Sequence, residues 1–291
     1  MRRHWRGPVL AVLQTLALAT AVGAEAAAAA SDPGAASAGQ VRTVILELFT
    51  SQGCSSCLPA DRLLATLAGR RRVGSQAVEV VPLAFHVDYW DGIGWPDPFA
   101  SAEWSARQRA YAAHFGDRRI YTPQLVAAGR RHCVGSNTAE VASLIAWAAQ
   151  QKPRVRLSVE TVSGDGKGFD LAVEAQVLAG LEERPKLMAA VFDGGHITAV
   201  SRGENAHHTL RNERVVRRLE TLRSLDTAAG VQRAAWRVDL DPAWHRATLG
   251  VAVFAQASGT GAIVGAAWHA LGANAAHAPS AASEPPKREW P

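Results

Sequence analysis

The sequence predicts an α/β domain followed by an all-β, sandwich-like domain, and three observations support this fold class. A buried strand, a turn, a C-x-x-C motif and an amphipathic helix follow one another between Thr43 and Leu67. Further strand and helix patterns continue from there to about residue 152. Beyond Pro153 the pattern changes to short runs of alternating apolar and polar residues that are separated by turn signals.

The C-x-x-C motif, Cys54-Ser55-Ser56-Cys57, is the strongest candidate site. It lies where a strand ends and a helix begins, directly after the turn residue Gly53. Unpaired backbone N–H groups and the helix dipole favour negative charge at that place, and a thiolate is the nucleophile of disulfide exchange. We therefore predict two catalytic residues, with Cys54 as the attacking thiol and Cys57 as the resolving thiol.

Two other interpretations of the motif stay open. A C-x-x-C pair can be half of a zinc site, although no second C-x-x-C is present in this sequence. Exported proteins also contain inert disulfides that only stabilise the fold.

Residues 1–30 have the pattern of a secretory signal peptide. A positive segment with Arg2, Arg3 and Arg6 precedes an apolar run, and an alanine-rich stretch offers cleavage sites. The apolar run is shorter than the roughly 20 residues of a spanning helix. We expect an exported protein, periplasmic or extracellular, that is not attached to the membrane after cleavage and that meets an oxidising environment.

The chain has 291 residues and a formal net charge of +5. Its arginines are scattered and form no basic stripe with aromatic residues, which argues against nucleic acid as a partner. Roughly 260 residues of the mature chain suit one large domain or two modest ones. We predict two domains, at residues 41–152 and 153–271. Residues 31–40 are interpreted as a linker, and residues 272–291, rich in Ala, Pro and Ser, as a disordered tail.

Two further stretches of residues 41–152 contain candidate site residues. The predicted strand Val78–Phe85 leads into a loop with His86 and Asp88, which either tune the protonation of the thiols or only form turns within the loop. Thr122 and Pro123 open a later strand, and X-Pro bonds have an appreciable cis population. In a redox fold this pair would flank the dithiol and bind substrate. An ordinary proline at a strand start is the alternative.

Other elements of residues 41–152 are predicted from capping and periodicity. Ser101 is the expected N-cap of a helix that ends at Phe115, in which Arg107 is predicted to be solvated. Ser136 or Asn137 is the expected N-cap of a later helix that runs to about Gln151. The odd cysteine, Cys133, lies on a predicted hairpin strand. We interpret it as a small buried hydrophobe, and a third redox partner or an intermolecular disulfide remains an alternative.

The order of these elements resembles that of the thioredoxin superfamily. More narrowly, the segments ELFTSQGCSSC, AFHVDYWD, DPFAS, ARQRAY, YTPQ and GEN…TLRNERVVR resemble the secreted, thioredoxin-like family known as domain of unknown function 1223. The resemblance covers residues 41 to about 271. It implies a thioredoxin-like fold for the first domain and no established substrate. Gly53 and Ser55-Ser56 replace the Trp and the Gly-Pro that thioredoxin has around its first cysteine.

The second domain is predicted to be almost entirely β. Expected strands cover residues 155–162, 169–177, 187–192, 235–240, 248–255 and 262–268. Between them lie the adjacent residues His207 and His208, which point to opposite faces of an extended chain and are therefore not expected to bind a metal. We predict a surface loop there, in which Glu204 and Asn205 make local turn hydrogen bonds.

Together these patterns favour thiol–disulfide exchange, an oxidoreductase activity that needs no soluble cofactor. Its partners would be protein thiols and disulfides, or a separate redox protein. One alternative is a non-catalytic envelope binding or assembly module in which the Cys54–Cys57 disulfide is structural. Another is a copper-handling protein with the two thiolates and His86 as ligands.

Overall fold

A computed structural model of the protein describes residues 41–178 and 180–272. The expected signal peptide and linker, and the expected tail beyond residue 272, lie outside the described residues. The described residues belong to one compact unit. None of their helices has both the length and the apolar character needed to cross a membrane.

Within the described ranges, fourteen strands and three α-helices alternate with three short 3₁₀ segments. The α-helices are α1 (Leu58–Leu67), α2 (Ala102–Phe115) and α3 (Thr138–Gln150). The strands are β1 (Arg42–Thr50), β2 (Gly69–Val73), β3 (Gln76–His86), β4 (Gln124–Ala127), β5 (Arg131–Val134), β6 (Val155–Gly164), β7 (Gly168–Val177), β8 (Lys186–Asp193), β9 (His196–Ala199), β10 (Thr209–Asn212), β11 (Val215–Ser224), β12 (Gly230–Asp239), β13 (Gly250–Gln256) and β14 (Ile263–Ala270). The 3₁₀ segments are Ser55–Cys57, Asp88–Ile93 and Arg246–Thr248.

The largest sheet is mixed and contains nine strands in the described chain. Its order is β14-β13-β8-β11-β3-β1-β4-β5, and β2 pairs with β3 beside this path. The central strands β1 and β3 are parallel, with Arg42 opposite Val78 and Thr50 opposite His86. Strands β12, β7 and β6 form a second sheet of three strands, and β9 pairs with β10 in a two-stranded ribbon.

This sheet corrects the predicted fold class. An α/β, thioredoxin-like domain followed by a separate all-β sandwich is wrong, because β8, β11, β13 and β14 continue the sheet that β1, β3, β4 and β5 form. The described chain is mostly β, with 46% strand and 21% helix. The prediction failed because the sequence patterns did not reveal β11, the strand that joins β8 to β3 in this sheet. Its first residue, Val215, pairs with Ala84 of β3, and the Ala84 N–H donates to the carbonyl of Arg214 at 2.7 Å.

Buried apolar side chains cover both faces of the large sheet. Because alternate residues of a strand point to opposite faces, Leu46 of β1 packs with α1 and α3, whereas Phe49 packs with Tyr111 of α2. A third cluster joins β8 and β13 to the three-stranded sheet, for example through Val251 and Val173. The dithiol helix α1 is therefore held against the centre of the large sheet.

Several predicted elements are confirmed. The Ser101 hydroxyl caps α2 by accepting the N–H of Glu103 at 3.2 Å. The Asn137 side chain caps α3 in the same way. The strands expected at residues 155–162 and 169–177 are present as β6 and β7, which pair antiparallel.

The prediction that Arg107 is solvated is wrong. Its guanidinium donates to both carboxylate oxygens of Glu47, at 2.6 and 3.0 Å, and the Tyr111 hydroxyl donates to the same carboxylate at 2.6 Å. The Glu47 side chain lies on β1 and is fully buried. Arg107 also donates to Gln256 of β13 at 3.1 Å. Arg107 therefore connects α2 to β1 through a buried ion pair and to β13 through a hydrogen bond.

Candidate functional site

Cys54 and Cys57 form a disulfide at the start of α1, with their Cα atoms 5.4 Å apart. Cys54 has an extended backbone and precedes the short 3₁₀ turn that leads into the helix. Pro59 occupies the first turn of α1, where a backbone N–H has no partner within the helix. Both cysteines are fully buried, whereas Ser55 and Ser56 between them are exposed.

The structure brings Thr122 to the sulfur of Cys54. The Thr122 hydroxyl donates to Cys54 Sγ at 3.4 Å and accepts a hydrogen bond from the indole N–H of Trp90 at 2.8 Å. Ser56 Oγ lies 3.3 Å from the same sulfur. The peptide bond between Thr122 and Pro123 is cis, and β4 begins directly after it. Two hydroxyl groups are therefore within reach of any negative charge that forms on Cys54.

Asp61 is a candidate functional residue that the sequence analysis missed. It follows Cys57 by one helical turn, and residues at this spacing lie on the same face of a helix. The side chain is buried and accepts a hydrogen bond from the Thr50 hydroxyl at 2.8 Å. Burial raises the pKa of Asp61 to about 6, although the neighbouring His86 acts in the opposite direction. Such a carboxyl is suited to exchange a proton with a thiol near neutral pH.

A sequence signal for Asp61 was present. Cys57, Asp61 and Leu64 follow one another at helical spacing, and Leu64 packs in the apolar cluster under α1. An acidic residue on the apolar face of a helix is unusual, because burial of an unpaired carboxylate is costly.

His86 and Asp97 form a fully buried pair close to Asp61. His86 Nδ1 lies 2.7 Å from Asp97 Oδ2, and His86 Nε2 is buried without a hydrogen-bond partner. Burial opposes the charge of His86, but the carboxylates of Asp97 and Asp61 outweigh it and raise its pKa. Burial likewise acts to raise the pKa of Asp97, but His86 and two backbone N–H groups hold that pKa below its usual value. His86, Asp97 and Asp61 thus form one buried cluster of ionisable groups, in which Asp61 belongs to α1.

Asp88 makes its hydrogen bonds with Ser105 of α2. The Ser105 hydroxyl donates to its carboxylate, and the Asp88 N–H donates back to that hydroxyl at 3.2 Å. These bonds connect Asp88 to α2. The structure therefore brings Thr122 to Cys54 and places His86 beside Asp61, while Asp88 is tied to a neighbouring helix.

A loop from the far end of the sequence also reaches the dithiol. Residues 200–208 connect β9 to β10, and the side chain of Glu204 accepts the N–H of Ser55 at 2.9 Å. The Asn205 side chain donates to the carbonyl of Gln52 at 2.8 Å. The prediction that Glu204 and Asn205 make local turn bonds is therefore wrong. We call this segment the 200–208 loop.

The ribbon beneath this loop is anchored on Gln52, which precedes the dithiol by two residues. The Gln52 side-chain amide donates to Thr198 of β9 at 3.0 Å and to Asn212 of β10 at 2.7 Å. Its carbonyl oxygen accepts the indole N–H of Trp95 at 3.1 Å. Every polar atom of this buried side chain therefore has a partner.

The family model described as protein of unknown function (DUF1223) matches residues 45–256, which include the dithiol, Thr122 and the 200–208 loop. This chain belongs to the DUF1223 family. The family that the sequence was found to resemble is thereby confirmed. No curated protein matches the chain.

Two solved structures are similar to this DUF1223 protein. Protein AGR_C_4864 from Agrobacterium tumefaciens, known from an X-ray crystal structure, is 27% identical, with a TM-score of 0.58 over 79% of this chain and 95% of that chain. HBP35 of Porphyromonas gingivalis is 11% identical, with a TM-score of 0.53 over 80% of this chain and 76% of that chain. The second likeness concerns the fold alone.

The third cysteine of the DUF1223 chain is buried. Cys133 is free and buried on β5, where it pairs with Leu125 and packs in the cluster under α1 and α3. Burial raises the pKa of its thiol to about 11. These features agree with the interpretation of Cys133 as a small buried hydrophobe.

Proposed function

We propose that this DUF1223 protein is an exported thiol–disulfide oxidoreductase that acts through Cys54 and Cys57. The observation that most supports the proposal is the buried carboxyl of Asp61, one helical turn beyond Cys57, with a pKa of about 6. A structural disulfide has no proton to exchange and needs no such acid beside it. The pattern of residues 1–30 supports export, and an oxidising compartment lets the disulfide persist.

In the reducing direction, the Cys54 thiolate attacks one sulfur of a substrate disulfide. A bond forms between Cys54 and that sulfur, the substrate S–S bond breaks, and the other substrate sulfur leaves as a thiolate. Cys57 then gives its proton to Asp61 and attacks the Cys54 sulfur, which releases the second substrate thiolate. The protein pair loses two electrons and the substrate gains them. The same steps in reverse oxidise a substrate dithiol, and Asp61 returns the proton to Cys57.

Thr122 and Pro123 have supporting roles in this proposal. The Thr122 hydroxyl, held by Trp90, donates to the Cys54 sulfur and stabilises its thiolate. Pro123 shapes the surface along which the substrate backbone lies. The substrates would be protein thiols or disulfides, and the reaction needs no soluble cofactor.

One observation favours a second candidate function. Both cysteines are fully buried, and buried disulfides are often purely structural. The alternative is a binding or assembly module of the envelope in which Cys54–Cys57 only stabilises the fold. Copper handling has no comparable support, because the described residues contain no group of three or more His, Cys, Asp or Glu side chains that could hold a metal.

The reduction potential of the pair separates the two candidates. We would titrate the purified mature protein in glutathione buffers and follow the free thiols of Cys54 and Cys57. A value between about −270 and −120 mV is expected for an exchange-active dithiol. A value below about −300 mV would indicate a structural disulfide and would favour the binding module.

An activity assay completes the test. Reduction of insulin and refolding of a reduced substrate should both be lost in the double variant Cys54→Ala, Cys57→Ala. Cys133→Ala serves as the matched control, because it removes a buried cysteine of the same chain that the proposed reaction does not use. Full activity in the double variant would disprove the proposal.

A further inference from the structure

The exchange reaction proposed above does not use Glu204, although its carboxylate lies at the dithiol. The carboxylate accepts the backbone N–H of Ser55 at 2.9 Å, across 149 residues of sequence. Ser55 begins the turn that leads into α1. Its N–H is thus one of the donors that the start of a helical segment leaves unpaired.

The residues on either side of Glu204 hold its backbone in place. Its neighbour Asn205 is buried and bonds to the carbonyl of Gln52 at 2.8 Å. Gly203 packs against the backbone of Gly94, where a Cβ atom on Gly94 would lie 2.9 Å from the Gly203 Cα. Both glycines have positive φ angles, 79° for Gly203 and 129° for Gly94, so larger residues would strain this close approach. The 200–208 loop therefore presents Glu204 to Ser55 from a well-packed support.

We infer that Glu204 is a positioning residue that disfavours the Cys54 thiolate and so keeps the reduction potential of the Cys54–Cys57 pair low. This inference rests on the proposed redox function and deepens it. Backbone N–H groups at the start of a helical segment normally stabilise a thiolate there. Glu204 occupies one of these donors and adds a negative charge beside it. Both effects destabilise the reduced, ionised form of the pair relative to the disulfide.

The other acidic side chains near the dithiol make their hydrogen bonds and ion pairs with groups outside the turn between the two cysteines. Asp61 on α1 accepts from Thr50, and Asp97 pairs with His86 at the end of β3. Asp91 of the neighbouring 3₁₀ segment accepts the N–H of Asp97 at 3.0 Å. Among the acidic side chains that the structure describes here, Glu204 is thus the one that binds the turn between the two cysteines directly.

The test compares Glu204→Gln and Glu204→Ala with wild type in the full mature protein. Glu204→Gln removes the charge and keeps an oxygen that can accept the Ser55 N–H. Glu204→Ala also frees that N–H for the thiolate. The matched control is Glu160→Gln, which removes one exposed negative charge on β6. The pKa of the Cys54 thiol is measured from the pH dependence of its alkylation, with the modified peptide identified by mass spectrometry.

We expect Glu204→Gln to increase the acidity constant of the Cys54 thiol about two- to fivefold, the usual size of charge effects at a helix start. Above the pKa of that thiol, the equilibrium constant with glutathione should change by the same factor. This factor corresponds to a rise in potential of about 10 to 20 mV. Glu204→Ala should shift both quantities at least as far. Added salt should reduce the effect, because the carboxylate is exposed.

Two outcomes would overturn the inference. One is that both Glu204 variants have the thiol pKa and potential of wild type and of Glu160→Gln. The other is that Glu204→Ala shifts these values while Glu204→Gln does not, because the inference requires the charge. A wild-type potential below about −300 mV would defeat the proposed oxidoreductase function instead. The comparison of variants would still be decisive in that case, because the same charge acts on the reduced form of any disulfide.

Discussion

The hydroxyl of Thr122 donates a hydrogen bond to the sulfur of Cys54 at 3.4 Å, although 68 residues separate them in the sequence. The oxygen of the same hydroxyl accepts the indole N–H of Trp90, which orients its proton towards the sulfur. A disulfide sulfur is a weak acceptor, and a thiolate is a much stronger one. This hydrogen bond is therefore stronger when the pair is reduced and Cys54 is a thiolate.

Thr122→Val should raise the pKa of the Cys54 thiol. The variant removes a hydrogen bond to the thiolate and leaves the size of the side chain almost unchanged, so we expect the acidity constant to fall about tenfold. Alkylation of the reduced protein as a function of pH measures the change. Thr122→Ser keeps the hydroxyl and is the control. Equal thiol pKa values in the valine and serine variants would contradict this role of Thr122.

Asp61→Asn should change how the stability of the protein depends on pH. Burial raises the pKa of Asp61 from 3.8 to about 6 in the folded protein, so the unfolded chain releases this proton at lower pH. The associated stability is fully present below about pH 4 and is lost as pH rises through about 6. The difference between the two pKa values corresponds to about 3 kcal/mol.

Urea unfolding at pH 4.5 and pH 7.5, with the disulfide intact, measures this effect. The free energy of unfolding of the wild type, measured relative to that of Asp61→Asn, should be lower at pH 7.5 than at pH 4.5. Asp226→Asn is the control, since Asp226 forms an exposed ion pair with Arg184. A constant difference between wild type and Asp61→Asn at both pH values would show that Asp61 titrates like an exposed carboxyl.

Arg107→Leu should destabilise the fold strongly. The substitution leaves the Glu47 carboxylate buried without its cation, and loss of one partner of a buried pair costs about 3–5 kcal/mol. The double variant Glu47→Gln, Arg107→Leu should be less destabilised than Arg107→Leu, because its neutral amide can still accept the Tyr111 hydroxyl. Urea unfolding gives both values. Arg109→Leu, an exposed position on the same helix, should change stability by less than about 0.5 kcal/mol.

Cys133 should be unreactive in the native protein. Its thiol is buried and has a pKa of about 11, so very little thiolate is present near pH 8. Iodoacetamide at that pH should modify Cys133 only after unfolding, and Cys133→Ala should keep the reduction potential of the dithiol. Rapid alkylation of the folded protein, or a changed potential in the alanine variant, would instead indicate a third redox partner.

Local patterns in the sequence predicted much of the first half of the chain. The strand, turn, C-x-x-C motif and helix around Cys54 follow from apolar periodicity and from the turn residue Gly53. The caps at Ser101 and Asn137 follow from side chains that bind backbone N–H groups a few residues away. These features were predictable because residues that are neighbours in the sequence make the contacts.

The sheet was predicted wrongly for the opposite reason. Strand β11 adjoins β3 in the sheet through the pairing of Val215 with Ala84, and its sequence, VVRRLETLRS, contains many charged residues. Arg107 was predicted to be a solvated helix residue, but in the folded protein it lies against Glu47. Pairing between distant strands and burial of an ion pair leave no periodic signal in either segment.

By itself, the sequence determined the dithiol, its place at a helix start and membership of the DUF1223 family, since all three depend on residue type and short spacing. Only the tertiary structure decided which groups surround that dithiol. Asp97 reaches His86, Thr122 reaches Cys54, and Glu204 reaches Ser55 through hydrogen bonds between separate segments. Such contacts arise when the chain packs into one sheet, because packing sets the distances between segments that sequence spacing leaves free.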